Sequence, residues 1–360
     1  MVEQNIVKFI QDATPCQPIL NGDLWFNTLD KCLYQYIEGS EIWELLIETP
    51  STNFLGVDYA YIASGTIDNE YYCTTIDRIQ FPFDSGCGAF VGNINENIRR
   101  PSACNSSQYG FIMGGDLKGA ATTSTIERVE FPFDSGTASN VGTIYASAYG
   151  AGCNCSIYGY SIGGYLSDLT AARTGIDRIT FPFDSGTASI IGNMVHEKAL
   201  GSGCNSSQHG YSIGGWDSAG YKSYVDRITF PFDSGTATYT GILGRGERGF
   251  ASACNSSNAA YYMGGVLTNT YVEKLAFPFD SGTSVAAGLL SRESYGQGGA
   301  NSTQYGYVMA GSITGGTRIS SVERFSFPFN TGTSIETGQL PCTRHEACSF
   351  DGTDFASMFI

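Results

Sequence analysis

Charged side chains are scarce in this sequence. Asp, Glu, Lys and Arg make up 15% of its 360 residues, where soluble domains usually carry roughly a quarter. That excludes a disordered chain kept open by charge. Basic residues are fewer still: 19 Lys and Arg against 34 Asp and Glu leave a formal charge of −15. Such a balance opposes a nucleic-acid backbone or an anionic membrane surface as partner. Histidine occurs three times, at His196, His209 and His345, and no CxxC pair or His-rich stretch offers metal-ligand spacing. No cofactor is expected. No apolar run approaches 18 residues, so no helical membrane span is expected. The opening stretch MVEQNIVKFIQDATP has neither a basic n-region nor an apolar h-region, and a secretory leader is not expected there.

Glycine and aromatic residues are abundant instead. The 46 Gly are nearly twice the usual share of about 7%, and 22 Tyr, 22 Phe and three Trp supply material for a large core. There are eleven Cys. Cys104, Cys204 and Cys254 each open the sequence CNSS; Cys153 and Cys348 read as the matching place in other copies, and one copy has Ala300. A position that takes Cys or Ala asks for a small apolar side chain, which a buried thiol provides. Reduced, inert cysteines are therefore expected rather than a disulfide framework.

The chain aligns on itself. FPF begins at Phe81, Phe131, Phe181, Phe230, Phe277 and Phe327, a period near 50 residues. Each unit reads as four short strands. The first is a small-residue run ending in the Cys or Ala. The second is aromatic and ends in Gly-Gly, as in YGFIMGG (109–115) and YGYSIGG (158–164). The third is of the type IDRIQFPF, and the fourth is a short run such as SIIGNM after a DSG turn. Asn, Asp and Ser in NSSQ and FPFDSG suit local hydrogen bonds, and Gly suits positive φ. The Pro of FPF cannot donate to a ladder, so it belongs at a strand end. Four strands in about 50 residues point to a β-propeller.

The pattern resembles the kelch repeat over roughly residues 50–360, with two departures. The Trp usual in the fourth kelch strand is missing from the FPF units, and FPFDSG replaces the usual Asp-Pro turn. The resemblance implies an all-β, kelch-like β-propeller of four-stranded antiparallel blades. Six FPF copies give six blades, but both ends carry leftovers. ACSFDGTDFASMFI reads as a first and second strand; KCLYQYIEGSEIWELLIE reads as a third and fourth, with Trp43 in place. Joining them predicts seven blades, closed by pairing 22–48 with 345–360. Six blades with a separate N-terminal meander is the alternative. On this reading 22–360 is one propeller domain and 1–21 an attachment arm with apolar Val2, Ile6, Phe9 and Ile10. Those residues form a weak helical stripe or an extended anchor.

The segment GDLWFNTLDKCLYQYIEGSEIWELL (22–46) resembles short segments of bacteriophage tail and neck fibre proteins, and the FPFDSGTAS repeats resemble large repeat proteins of phages of aquatic bacteria. These resemblances imply a virion protein of tail, neck or capsid, assembled in the host cytoplasm. The implied partners are other virion proteins through the arm, further copies of the chain, and a host-surface glycan or protein.

Catalytic chemistry finds little footing. His209 stands where other copies have Tyr. The doublets Asp77-Arg78, Glu127-Arg128, Asp177-Arg178, Asp226-Arg227, Glu273-Lys274 and Glu323-Arg324 recur in every unit, whereas a catalytic group is needed once. Adjacent strand residues face opposite ways, so each doublet is expected to pair with neighbouring units. The sequons at Asn105, Asn205, Asn255 and Asn301 recur as turns. A non-enzymatic role is expected. Function is expected where the repeat varies, in the loops joining strands 2–3 and 4–1. The basic and aromatic residues there are Arg99, Arg100, Tyr149, His196, Trp216, Arg245, Arg248, Arg292, Arg344 and His345, expected to form a binding face for an anionic glycan or an acidic protein.

Overall fold

Alternating β-branched and aromatic residues in each unit form strands, and no helix occurs among the described residues. The computed structural model describes residues 58–67, 71–118, 121–166, 171–266 and 270–352 in full and four strands within 7–47 by their backbone. The chain divides into two units, Met1–Leu55 and Gly56–Ile360.

In the first unit Val7–Gln11 runs parallel to Leu24–Asn27, which pairs antiparallel with Leu33–Ile37, which pairs antiparallel with Ile42–Ile47. The expected arm thus contributes a strand, over Phe9 and Ile10, rather than a helix. Val2 and Ile6 lie outside the described residues.

The second unit contains six sheets with four antiparallel strands each, the third extended by a short parallel strand, Gly235–Thr236, and they are numbered here in chain order of their second strands. Sheet two is typical: Ser102–Asn105, Tyr109–Met113, Thr125–Glu130 and Ser139–Thr143. Sheets three to six repeat it, opening with Ala151–Asn154, Ser202–Asn205, Ser252–Asn255 and Gly298–Asn301. Sheet one takes its first strand from the C-terminal end of the chain. Cys348–Asp351 pairs with Tyr59–Ala63, followed by Thr75–Gln80 and Ala89–Asn93. This pairing replaces the one expected between 345–360 and 22–48. The aromatic spacing fits this: Tyr59-Ala60-Tyr61 is a second strand of the YGY type, and it takes Cys348–Asp351 as its first strand. The register also corrects the cysteine alignment. Phe350 faces Tyr61 as Cys104 faces Phe111, so Phe350, and not Cys348, is the equivalent of the repeat cysteines.

That substitution explains the glycines of the second strands. A Cβ on Gly159 would stand 2.4 Å from the Cys104 sulfur, and one on Gly210 2.5 Å from that of Cys153. Where the bulkier Phe350 replaces Cys, its ring fills the space beside Gly110. Ala60 packs in one cluster with Ala300, and Ala260 with Cys204. The nine described cysteines are all unbridged; Cys16 and Cys32 lie outside the described residues.

Neighbouring sheets are joined by three recurrent contacts. The first is the basic half of each doublet. Arg78 reaches Asp134, Arg128 Asp184, Arg178 Asp233 and Arg227 Asp280; Lys274 reaches Asn330; Arg324 reaches Asp84. Each acceptor sits in the turn after FPF of the next sheet, and the last returns to sheet one. Four of these guanidinium groups also lie 4.1–4.3 Å over a Tyr ring at the start of their own second strand. In the second contact the amide of the last Phe of FPF donates to a tyrosine hydroxyl of the preceding sheet, as Phe133 does to Tyr61 at 3.0 Å and Phe83 to Tyr307 at 3.2 Å. The third is aromatic stacking: Tyr61 lies 5.3 Å from Phe131 of sheet two, and within its own sheet 5.6 Å from Phe350. Burying each such ring contributes about 1.5–3 kcal/mol.

Candidate functional site

The acidic half of each doublet turns inward and is buried. Its partners come from the loops expected to form the binding face. Asp77 pairs with Arg344, Asp177 with Arg173, Asp226 with Lys198 and His196, Glu273 with Arg248, and Glu323 with Arg292. Glu127 has no cation beside it among the described residues and accepts from the backbone and side-chain amides of Asn95 at 2.8 Å each. A carboxylate buried without such partners would cost several kcal/mol, so these loop cations serve the interior.

This corrects two expected site residues and gives three others partners within the chain. Arg248 and Arg344 are 0% exposed and cannot meet a ligand. His196 is stacked 4.1 Å from Tyr224 and bonded to Asp226. Arg292 bonds to Glu336. Arg245 is exposed but lies over Tyr271 at 4.3 Å. The sequon asparagines Asn105, Asn205, Asn255 and Asn301 are at most 9% exposed, so they are no glycan acceptors in the folded chain.

A second set does come together. The residue two places before each first strand is Arg100, Tyr149, Leu200, Phe250, Gly296 or Glu346, and every one has φ between 56° and 65°. Their backbones are linked in series. Tyr149 N–H donates to the Arg100 carbonyl at 2.7 Å, Leu200 to Tyr149 at 3.2 Å and Phe250 to Leu200 at 3.1 Å. Gly296 then donates to Phe250, Glu346 to Gly296 and Arg100 to Glu346, each at 2.7 Å. Side chains held in this left-handed geometry cost conformational energy that the surrounding bonds must offset. Four of the six residues line a bowl of about 310 Å3 with Tyr165, Trp216 and Tyr221. Its rings are mutually braced: Tyr149 meets Tyr165 and Phe250 edge-on at 5.8 and 5.4 Å, and Tyr165 lies 5.5 Å from Trp216.

The bowl's charges are matched internally. Arg100 lies 4.3 Å over the Tyr149 ring and donates to Glu346 at 2.9 Å, while Arg99 bridges Glu346 and Asp116 at 3.0 Å each. Tyr149 Oη donates to Glu346 at 2.8 Å. Burial alone would raise the Glu346 carboxyl, but Arg100 foremost, then His345 and Arg99, hold it below its ordinary value. Burial pushes the Tyr165 hydroxyl up to about 12. His345 stands edge-on to Tyr295 at 6.4 Å and 3.9 Å from Glu346. Of the expected set, Arg100, Tyr149 and Trp216 line the bowl, with Arg99 and His345 in its charged support. Leu200 and Glu346 are neither basic nor aromatic, and Phe250 lies outside the expected set. Their fixed offset before each first strand was the available signal.

Below the bowl the first strands approach closely. A Cβ on Gly152 would stand 1.7 Å from the Ala103 carbonyl oxygen, and one on Gly203 1.9 Å from that of Gly152. These residues, with Ala253, Gly299 and Ser349, form a waist shared by two cavities. Among the described residues no group of three or more His, Cys, Asp or Glu side chains could hold a metal ion. No family model matches the chain, and no curated protein matches it either.

Proposed function

We propose that 56–360 is a six-bladed, kelch-like β-propeller acting as a non-enzymatic binding module. The support for six blades is the set of contacts that run from sheet to sheet and return from sheet six to sheet one. Its ligand is a neutral carbohydrate, taken by the aromatic bowl. One observation carries this reading: a single repeat position is occupied by Arg, Tyr, Leu, Phe, Gly and Glu in turn, and the first four of these residues line a concave aromatic surface. A scaffold that is constant elsewhere and variable there is built to recognise something. Tyr165, Tyr221 and Trp216 make no hydrogen bond through their hydroxyls or indole N–H among the described residues. They offer faces for sugar C–H groups and polar edges for hydroxyls. Arg99 and Arg100 are neutralised by Glu346 and Asp116, and the chain carries −15, so an anionic glycan is disfavoured.

The sequence resemblances are what supports a role for this module on a bacteriophage virion, as a tail, neck or capsid appendage meeting the host surface. Attachment to other virion proteins runs through 1–21, where Val2, Ile6, Phe9 and Ile10 supply apolar contacts. A glycan array on the purified protein, repeated with Trp216→Ala, tests the ligand. Binding of neutral glycans that falls at least about fivefold in the variant is expected, since one stacking residue contributes more than about 1 kcal/mol. Binding that ignores the substitution removes the bowl from the reading. Mass spectrometry of purified particles tests the location, and absence of the chain from them removes the virion role.

A further inference from the structure

Across the waist from the bowl lies a second cavity, of about 70 Å3, lined by Asn105, Asn154, Asn205, Asn255, Asn301 and Asp351. Each is the last residue of the first strand of its sheet. All six are buried, the most exposed at 9%. Two of their side chains step between sheets: Asn255 N–H donates to Asn301 Oδ1 at 3.0 Å, and Asn301 N–H to Asp351 Oδ2 at 2.8 Å. The carboxamide of Asn105 has its Nδ2 buried with no partner. A buried amide left unpaired costs about 1–3 kcal/mol, and its terminal group presents oxygen instead of nitrogen after a half-turn.

We propose that this cavity binds a hard divalent cation, with calcium the best fit. The donor set is five amide oxygens and one carboxylate, with no nitrogen heterocycle or thiolate, which suits an oxygen-seeking ion rather than zinc. Calcium accepts six to eight oxygens in flexible geometry, Asn carbonyls and waters among them, whereas magnesium requires a tighter octahedron. Asp351 supplies the only formal charge in the set, so the affinity belongs to the weak class, roughly 10⁻⁴–10⁻³ M. The net charge of −15 draws cations to the surface. Binding here needs no carbohydrate in the bowl.

The test uses the full chain, freed of metal with chelator and desalted. Terbium luminescence with calcium competition should report one saturable site. Calcium at about 10 mM should raise the melting temperature by about 2–5 °C, and magnesium by less. Asp351→Asn, which keeps the acceptor for Asn301, should weaken binding at least tenfold. Absence of saturable, calcium-displaceable terbium binding overturns the proposal, as does unchanged affinity in Asp351→Asn. Should that variant fail to fold, Asn154→Ala with Asn205→Ala carries the same expectation.

Discussion

Arg324, on the third strand of sheet six, donates to Asp84 in the turn of sheet one, 240 residues away in the chain. It makes the bond that Arg78 makes to Asp134 between sheets one and two. The seam between the last and first sheets is therefore built like the others. Its acceptor is 64% exposed, so the ion pair contributes only about 0–1 kcal/mol. What holds sheet one together is the strand Cys348–Asp351, which buries Phe350 between Tyr61 and Gly110.

Removing that strand should be far worse than removing the ion pair. Deleting 347–360 strips the first strand from sheet one and exposes the edge of Tyr59–Ala63. Aggregation, or loss of the cooperative melt, is expected. Arg324→Ala and Arg128→Ala should each cost about 1 kcal/mol or less and match one another. A truncated protein that melts like the full chain refutes this account of sheet one.

The repeat made the sheets legible, because a period near 50 with turn residues at fixed places leaves few alternatives. The end pairing was misread because Trp43 and the C-terminal ACSF resemble repeat strands separately, while register depends on which strand lacks a partner. Alternation along ACSFDG is satisfied by either Cys348 or Phe350 as the repeat cysteine; the depth of the facing Gly110 decides. The site was half legible. Sequence shows that loops vary, but not that Arg248 and Arg344 turn inward to buried acids. That inversion follows from burial of the acid beside each strand Arg, since an interior carboxylate draws the nearest loop cation.

The thiols should divide sharply. Cys87 is exposed, while Cys104, Cys153, Cys204 and Cys254 are buried against the next sheet. Burial pushes Cys348 up to about 12 and also raises Cys104, Cys153, Cys204 and Cys254 above their ordinary value, so thiolate is scarce at pH 8. In a Cys16→Ser, Cys32→Ser background, a thiol reagent should label Cys87 first under native conditions. All nine remaining thiols should react in denaturant without reductant. Rapid native labelling of Cys104 or Cys204 contradicts the packing described.

Two buried acids pull the pH profile in opposite directions. Glu346 is held below its ordinary 4.5, so its contribution is present above that value and lost as pH falls through the folded one. Glu127 is raised above 4.5, by burial foremost and against the Asn95 hydrogen bonds. The folded chain takes up its proton first, so stability rises as pH falls toward 4.5. The Glu127 contribution should therefore raise the melting temperature as pH falls toward 4.5, as should those of Asp77, Asp116 and Asp177, which burial also raises, while the Glu346 contribution is lost below 4.5. Glu346→Gln should melt lower at pH 7 and lose much of the acid limb. Glu127→Gln should flatten the neutral side. An unchanged acid limb in Glu346→Gln removes that residue from the account.

One sheet lacks a bond that its neighbours have. Tyr61, Tyr160, Tyr211, Tyr261 and Tyr307 each accept from the amide of the last Phe of the next FPF, at 3.0–3.2 Å. Sheet two has Phe111 at this position, which offers no oxygen to the Phe183 amide. Its ring otherwise sits like the tyrosines, stacked 5.3 Å from Phe181 at 16°, where Tyr61 stacks 5.3 Å from Phe131 at 20°. Phe111→Tyr should therefore place a hydroxyl where the other sheets have one, without displacing the ring. A net hydrogen bond contributes about 0.5–1.5 kcal/mol, and pairing a buried amide otherwise left without an acceptor puts the gain at the upper end. For a domain of this size the melting temperature should rise by about 1–4 °C. The reverse change, Tyr160→Phe, should lower it by a similar amount. If Phe111→Tyr destabilises the protein, the Phe183 amide already has an acceptor or the hydroxyl has no room, and the equivalence of the six sheets fails at that point.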